Sequence, residues 1–244
     1  MIIWEQESPP RRRGAPDLPE IVTTAVSLAD QEGLDAVSLR RVATALRSGT
    51  ASFYRVIDSR DELLDRMVDA ALARHVPPEA SGNWRADLAA VARNRRAMLK
   101  THPWLGPELA GRPAIGPHAL IHHERALEAA AGYADDATAV SSAVETILAY
   151  VLGAAARELA ETQVQRRSGI TEEQWRATVA PYLQQALNSG SYPHLQRMVH
   201  EATDLDADER FERGLACVLA GLATRTPQPG ARAREHPGTL SLVR

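Results

Sequence analysis

Apolar residues recur at helical spacing in short, capped stretches through the first third of the chain. Ile21, Val22, Ala25, Leu28 and Ala29 form one stripe, which predicts a helix over Leu18–Glu32 ended by Gly33. Ser38 is placed to cap a second helix, on which Leu39, Val42, Ala43 and Leu46 recur at i, i+3, i+4 and i+7. Arg40 and Arg41 fall off that stripe. The pattern stops at Arg47-Ser48-Gly49, where Gly49 either takes a positive φ or serves as an N-cap. A third short helix follows over about 50–57. Phe53 and Ile57 face inward, and Thr50, Ala51, Ser52 and Arg55 face out. Asp58 and Ser59 break it, and Ser59-Arg60-Asp61-Glu62 is a capping box that opens a helix carrying Leu63, Leu64, Met67, Val68 and Leu72.

Val76–Asn83, with two prolines, a serine and a glycine, is a boundary. Beyond it the pattern predicts helices over about 84–100, a short piece ending at Gly111, then 116–131, 134–165, one from Thr171 to about Ser189, a weaker one after His194, and 207–223. The fold class is therefore all-α: a three-helix unit over 18–75 and a larger helical domain over 84–225. The flanks, 1–17 and 226–244, are rich in proline and glycine and read as disordered. Arg11, Arg12 and Arg13 make the first flank a basic arm, either for DNA phosphates or merely solubilising.

Two short helices joined by a tight turn, the second with a small, polar, cationic outer face, suit the DNA major groove. Arg55 and Arg40 are long enough to reach base edges, while Tyr54 and Arg60 suit phosphate oxygens. Composition narrows this. The net charge is -3, so the chain is no general nucleic-acid coat, and DNA binding has to come from a local patch. Aromatic content is 5%, which leaves a core of Ala, Leu and Val suited to helix packing. The lone Cys217 supports no internal disulfide and points to a reducing cytoplasm. There is no run of uninterrupted apolar residues long enough for a membrane span. Phosphate-binding loops, nucleotide fingerprints and nucleophile elbows are absent, so no enzyme and no cofactor are expected.

The order Ala29-Asp30-Gln31-Glu32-Gly33, Ser38-Leu39-Arg40, Phe53-Tyr54 and Arg60-Asp61-Glu62-Leu63-Leu64 resembles the DNA-binding domain of the TetR family of bacterial transcriptional repressors. Three positions depart from the family's pattern: Arg47 stands where a glycine is usual, Val56 where a histidine is, and Ile57 where an aromatic is. The resemblance implies a homodimeric helix-turn-helix repressor on a palindromic operator, released by a small hydrophobic effector. It assigns Ser38, Arg40, Thr50, Ala51, Ser52, Tyr54, Arg55 and Arg60 to DNA. The alternative is a helical ligand-binding or scaffold protein whose reading helix has degenerated.

His102-Pro103-Trp104, Arg112-Pro113, Gly116-Pro117 and Tyr150-Val151-Leu152-Gly153 are similar to the tetracycline-repressor branch of that family. This implies an effector cavity among the helices bearing Trp104, His118, His122 and Tyr150. Glu108, if turned inward, would meet a cationic group on the ligand. Glu108 and Arg157 replace a histidine and a glutamate of the tetracycline repressor, which argues against a magnesium–tetracycline chelate. His118 and His122 are i, i+4 and could hold a metal, but no further motif completes a ligand set, so no metal is expected. Finally, the stripes Val140-Val144-Ile147-Val151 and Phe211-Leu215-Val218-Leu219 either fill the subunit's own core or form a four-helix contact between subunits. The resemblance favours the dimer, with Val144, Val151, Leu215 and Leu219 at the interface.

Overall fold

The computed structural model describes residues 3–5, 16–49, 53, 55–111 and 113–224. Among them are ten α-helices: α1 (Leu18–Glu32), α2 (Leu39–Ala45), α3 (Arg60–Ala73), α4 (Trp84–Thr101), α5 (Leu105–Ala110), α6 (Pro117–Ala130), α7 (Ala137–Ser168), α8 (Glu172–Asn188), α9 (Pro193–Glu201) and α10 (Ala207–Thr224). No strand occurs among the described residues.

Most helix starts are fixed by side-chain caps. Asp17 and Glu20 form a reciprocal capping box on α1, and Thr171 and Gln174 do the same on α8. Ser38, Ser59, Asn83 and Asp136 each accept from the backbone N–H three residues on, opening α2, α3, α4 and α7. Asp17 is thus a structural residue rather than part of a loose arm. Ile3–Glu5, also expected to lack structure, forms a 3-10 turn: Trp4 lies under the Arg66 guanidinium at 5.7 Å, and Arg66 also pairs with Glu62 at 2.8 Å. Residues 6–15, with Arg11, Arg12 and Arg13, and the tail beyond Thr224 lie outside the described residues.

In the head, α1 packs across α2 and α3, and Ile21, Ala25, Val42, Phe53, Ile57, Leu63 and Met67 are fully buried in the triangle. The turn after α2 is a Schellman motif: Ser48 N–H donates to Ala43 C=O at 2.9 Å and Arg47 N–H to Thr44 C=O at 3.0 Å. Its left-handed residue is Arg47, at φ 50, and not Gly49. The position that resembles a family glycine therefore keeps the glycine conformation with an arginine in it.

The larger domain is layered around α4, which packs against α6, α7 and α10. Here the dimer expectation needs correcting. Val144, Val151, Leu215 and Leu219 are all buried within one subunit, where α7 and α10 meet each other and α4. Large branched side chains fill the subunit's own core because that contact removes the most apolar area from water. The faces turned outward are the opposite ones, and they are small: Ala149, Gly153, Ala156 and Ala160 on α7, and Ala216, Cys217, Ala220 and Gly221 on α10. Ala137–Thr162 is apolar and long enough to cross a membrane, yet its most apolar window is just 28% buried in this subunit. α8 and α9 pack chiefly on each other and leave Trp175, Tyr182, Leu195 and Met198 exposed.

Candidate functional site

The head presents its cations unevenly. Ser38 spends its hydroxyl on the α2 N-terminus, accepting from Arg41 N–H at 3.2 Å. Arg41 is held by Glu32 at 2.6 Å. Arg60 donates to Val37 and Leu34 carbonyls at 3.4 Å each, bracing the turn before α2, so part of its donor set is used inside the protein. Arg40 and Arg55 are exposed, and among the described residues neither makes an ion pair. Phe53 and Ile57 are buried, and Phe53 N–H donates to Gly49 C=O while Ile57 N–H donates to Phe53 C=O, both at 3.2 Å. That is the backbone pattern of the expected third helix. Thr50, Ala51, Ser52 and Tyr54 lie outside the described residues.

The head is joined to the larger domain by two carboxylates. Asp69 of α3 is 7% exposed and accepts from the His118 and Ala119 N–H groups at 2.9 and 3.1 Å, and from His118 Nδ1 at 2.8 Å. It thereby caps α6 from another domain, where the helix's own N-cap, Gly116, has no side chain to offer. A Cβ at Gly116 would lie 2.2 Å from Asp69 Oδ1, so the close approach requires glycine. The second carboxylate, Asp30 of α1, accepts from both His102 Nδ1 and Trp104 Nε1 at 2.7 Å. Neither carboxylate was singled out from sequence as a junction group.

The expected effector residues do not converge. Trp104 is buried, with its indole N–H spent on Asp30. Tyr150 turns to α10, donating to Phe211 C=O at 2.7 Å; a Cβ at Gly214 would meet its hydroxyl at 2.4 Å. It locks α7 to α10, and burial pushes its pKa up. His118 is committed to Asp69. Glu108 is partly covered on α5 and does not line the cavity described next. Rings on neighbouring helices pointed to a common pocket from sequence, but each found a nearer partner for its one polar atom.

His122 does face a cavity. A cleft of about 130 Å³, open on one side, lies between Leu72 of α3, Leu109 of α5, Ala119 of α6, and Leu148 and Leu152 of α7, with Arg95, His122 and His123 as its titratable groups. His122 is 2% exposed, and its Nε2 donates to Leu72 C=O at 2.9 Å, since a carbonyl can only accept. Nδ1 is then a bare acceptor, buried, with no hydrogen-bond partner. Burial, with Arg95 nearby, lowers the His122 pKa to about 4, so the ring is neutral. A larger concavity, about 920 Å³, lies elsewhere, between α7, α8 and the start of α10. Its walls are charged and already paired, Arg176 with Glu172 and Asp204 among them, which makes it a poor receptor for an apolar molecule. Among the described residues no three His, Cys, Asp or Glu side chains converge as a metal site would need.

The chain resembles known proteins along nearly its whole length. Residues 76–226 fit the family described as "Tetracyclin repressor-like, C-terminal domain". The chain belongs to the TetR family of transcriptional regulators. The HTH-type transcriptional repressor DrrR1 of Streptomyces coeruleorubidus is 37% identical over 232 residues, covering 93% of this chain and 85% of that one. Tetracycline repressor protein class A of Escherichia coli is 27% identical, covering 84% of this chain and 89% of its own. Among solved structures, the TetR-family protein ActR of Streptomyces coelicolor in complex with actinorhodin superposes with a TM-score of 0.71 at 31% identity, covering 86% of this chain and all of ActR's (100%). TetR-family membership gives the helix pair α2 and its successor a role, but Arg95 and Leu72, which build the cavity, carry no motif. Arg95 had one signal: it falls on the α4 stripe Leu88, Ala92, Leu99, where a cation is out of place.

Proposed function

We propose that the protein is a ligand-responsive repressor that holds a palindromic operator as a homodimer and releases it when a small organic molecule enters the His122 cavity. The observation that supports the switch most directly is that the cavity wall is shared. Leu72 belongs to α3 of the head, and its carbonyl is held by His122 of α6. A molecule filling that space presses on both domains at once, and it shifts the position of the head only insofar as it binds one arrangement better. The heads of the dimer would enter successive major grooves roughly 34–36 Å apart. Arg40 and Arg55, exposed and without a carboxylate partner among the described residues, are the base-reading candidates, and Arg60, braced on the turn, serves phosphates with what donors remain.

The dimer uses the outward faces of α7 and α10. Ala149, Gly153, Ala156 and Ala160, with Ala216, Ala220 and Gly221, allow close backbone approach of four helices. The apolar side chains left exposed on α8 and α9 extend the same contact.

Operator selection from random DNA, followed by gel shift, tests the reading head. Arg55→Ala should weaken the selected site by about 1–3 kcal/mol and relax preference at one position. Equal loss on selected and random DNA would remove Arg55 from base reading.

A further inference from the structure

α4 carries three arginines within one turn, and two of them are neutralised. Arg93 pairs with Glu212 at 2.7 Å, and Arg96 pairs with Glu158 at 2.8 Å and Asp208 at 2.7 Å. Arg95 is different. It lies on the apolar stripe of the helix, lines the His122 cavity, and among the described residues makes no ion pair and no hydrogen bond. No carboxylate lines the cavity. Burial of the guanidinium holds its pKa down at about 10, still charged at neutral pH. Arg95 is half-buried, and a charge partly withdrawn from water is ordinarily paired. A second unsatisfied group stands in the same wall: the buried His122 Nδ1, an acceptor whose ring is fixed by the Leu72 carbonyl.

We infer that the cavity is built for an anionic aromatic or alicyclic molecule, whose carboxylate or enolate is taken by Arg95 and whose hydroxyl donates to His122 Nδ1. This deepens the effector reading above and rests on it. An anion restores the missing counter-charge, and a guanidinium offers a planar fork matched to a carboxylate. A hydroxyl on the ligand supplies the donor that Nδ1 lacks, and the Leu and Ala walls take the ring. The preference is opposite in sign to the one Glu108 suggested, because Glu108 stands outside the cavity and a cation stands inside it. At about 130 Å³ the space holds one ring, so a fused-ring ligand extends through the open side or presses on the wall, part of which is Leu72 of the head.

The test uses the full-length dimer and a matched series: naphthoate, methyl naphthoate, hydroxynaphthoate and naphthylmethylamine, titrated by calorimetry and by release of the selected operator. In the wild type naphthoate should bind about tenfold or more tighter than its ester, with the amine weakest. Arg95→Met should erase the difference between acid and ester, and should not lower the Tm of the ligand-free protein, because the half-buried cation has no counter-charge to lose among the described residues. Arg95→Lys should keep part of the preference. The gain of hydroxynaphthoate over naphthoate should vanish in His122→Phe. If acid and ester bind the wild type equally, or the acid preference survives in Arg95→Met, the anion assignment is overturned while the cavity stands. If neither acid nor ester binds, or if Leu152→Trp leaves their binding unchanged, the cavity is not the effector site and both readings fall. An Arg95→Met protein that fails to fold would show the guanidinium to be structural and overturn the proposal.

Discussion

In the head, each helix has one apolar face and one polar face. α2 buries Val42 and Ala43 and turns Arg40, Arg41 and Thr44 to water. α7 and α10 have two faces with a claim to burial. One bears Val144, Ile147, Val151, Leu215 and Leu219, and is used within the subunit; the other bears alanine and glycine and faces out. Branched side chains gain most from a preformed core, while alanine and glycine lose little when exposed and let a second helix come close. Where a helix has a single apolar face, its pattern fixes its orientation. Where it has two, residue size decides which goes to the subunit core and which is left outward for the proposed dimer contact.

Adjacent residues on α10 give the sharpest way to break that contrast. Leu219 is buried in the subunit core and Ala220 is exposed. Leu219→Glu puts an unpaired carboxylate in the core and should cost about 3–5 kcal/mol, enough to unfold the subunit or aggregate it. Ala220→Glu should leave helicity intact by circular dichroism yet yield monomer by light scattering. A clean Ala220→Glu dimer of unchanged stability would show that the outer face is not the contact.

The domain junction is the next largest effect. Gly116→Ala drives a methyl into the Asp69 carboxylate and strips the cap from α6, at a cost of about 1–3 kcal/mol. Thermal unfolding measures it, and an unchanged Tm would mean the junction relaxes freely. The same variant should loosen the link between cavity and head, so that a ligand still binds but releases less operator.

How much of this could be read beforehand follows the same division. The apolar stripe and Gly33 made the extent of α1 legible, while Asp17, which caps its start, reads from sequence as part of the arm. The head's buried set was legible from one-faced periodicity. The cavity was not. Trp104, His118 and Tyr150 each have one polar atom whose partner, Asp30, Asp69 or the Phe211 carbonyl, is at least forty-nine residues away in sequence. Spacing along a helix says which residues share a face and says nothing about what that face meets. Arg95 was the missed clue, since a cation in register with Leu88, Ala92 and Leu99 breaks the pattern of its own helix.

A smaller effect belongs to His122, one of the three histidines of α6. The His122 pKa is lowered to about 4, from an ordinary 6.5, chiefly by burial. Between those values the unfolded chain binds a proton at this site that the folded chain refuses. Stability from this group is therefore complete above about pH 6.5, and falls as the pH drops toward 4. The Tm of the wild type should fall relative to that of His122→Phe as the pH drops from about 6.5 toward 4, and the difference should be level above neutrality, once the other titrating groups cancel. A constant difference across that window would mean His122 titrates as it does in the unfolded chain.

The smallest expected change lies back in the head. Arg47 holds a left-handed backbone at φ 50 in a turn whose hydrogen bonds are those of a glycine-terminated helix. A side chain there costs roughly 1–2 kcal/mol, and glycine would lose about 0.5–1 kcal/mol of that gain to its freer unfolded chain. Arg47→Gly should therefore stabilise the protein by roughly 0.5–1 kcal/mol, while Arg47→Ala, which keeps the strain, should change little. Arg47 is exposed in the turn, where its guanidinium would be free to meet a DNA phosphate if the head binds as proposed. Arg47→Gly should then raise Tm and weaken operator binding together, lowering the salt slope by about one. A glycine variant that is both more stable and as tight on DNA at every salt concentration would leave the arginine without a function at that turn.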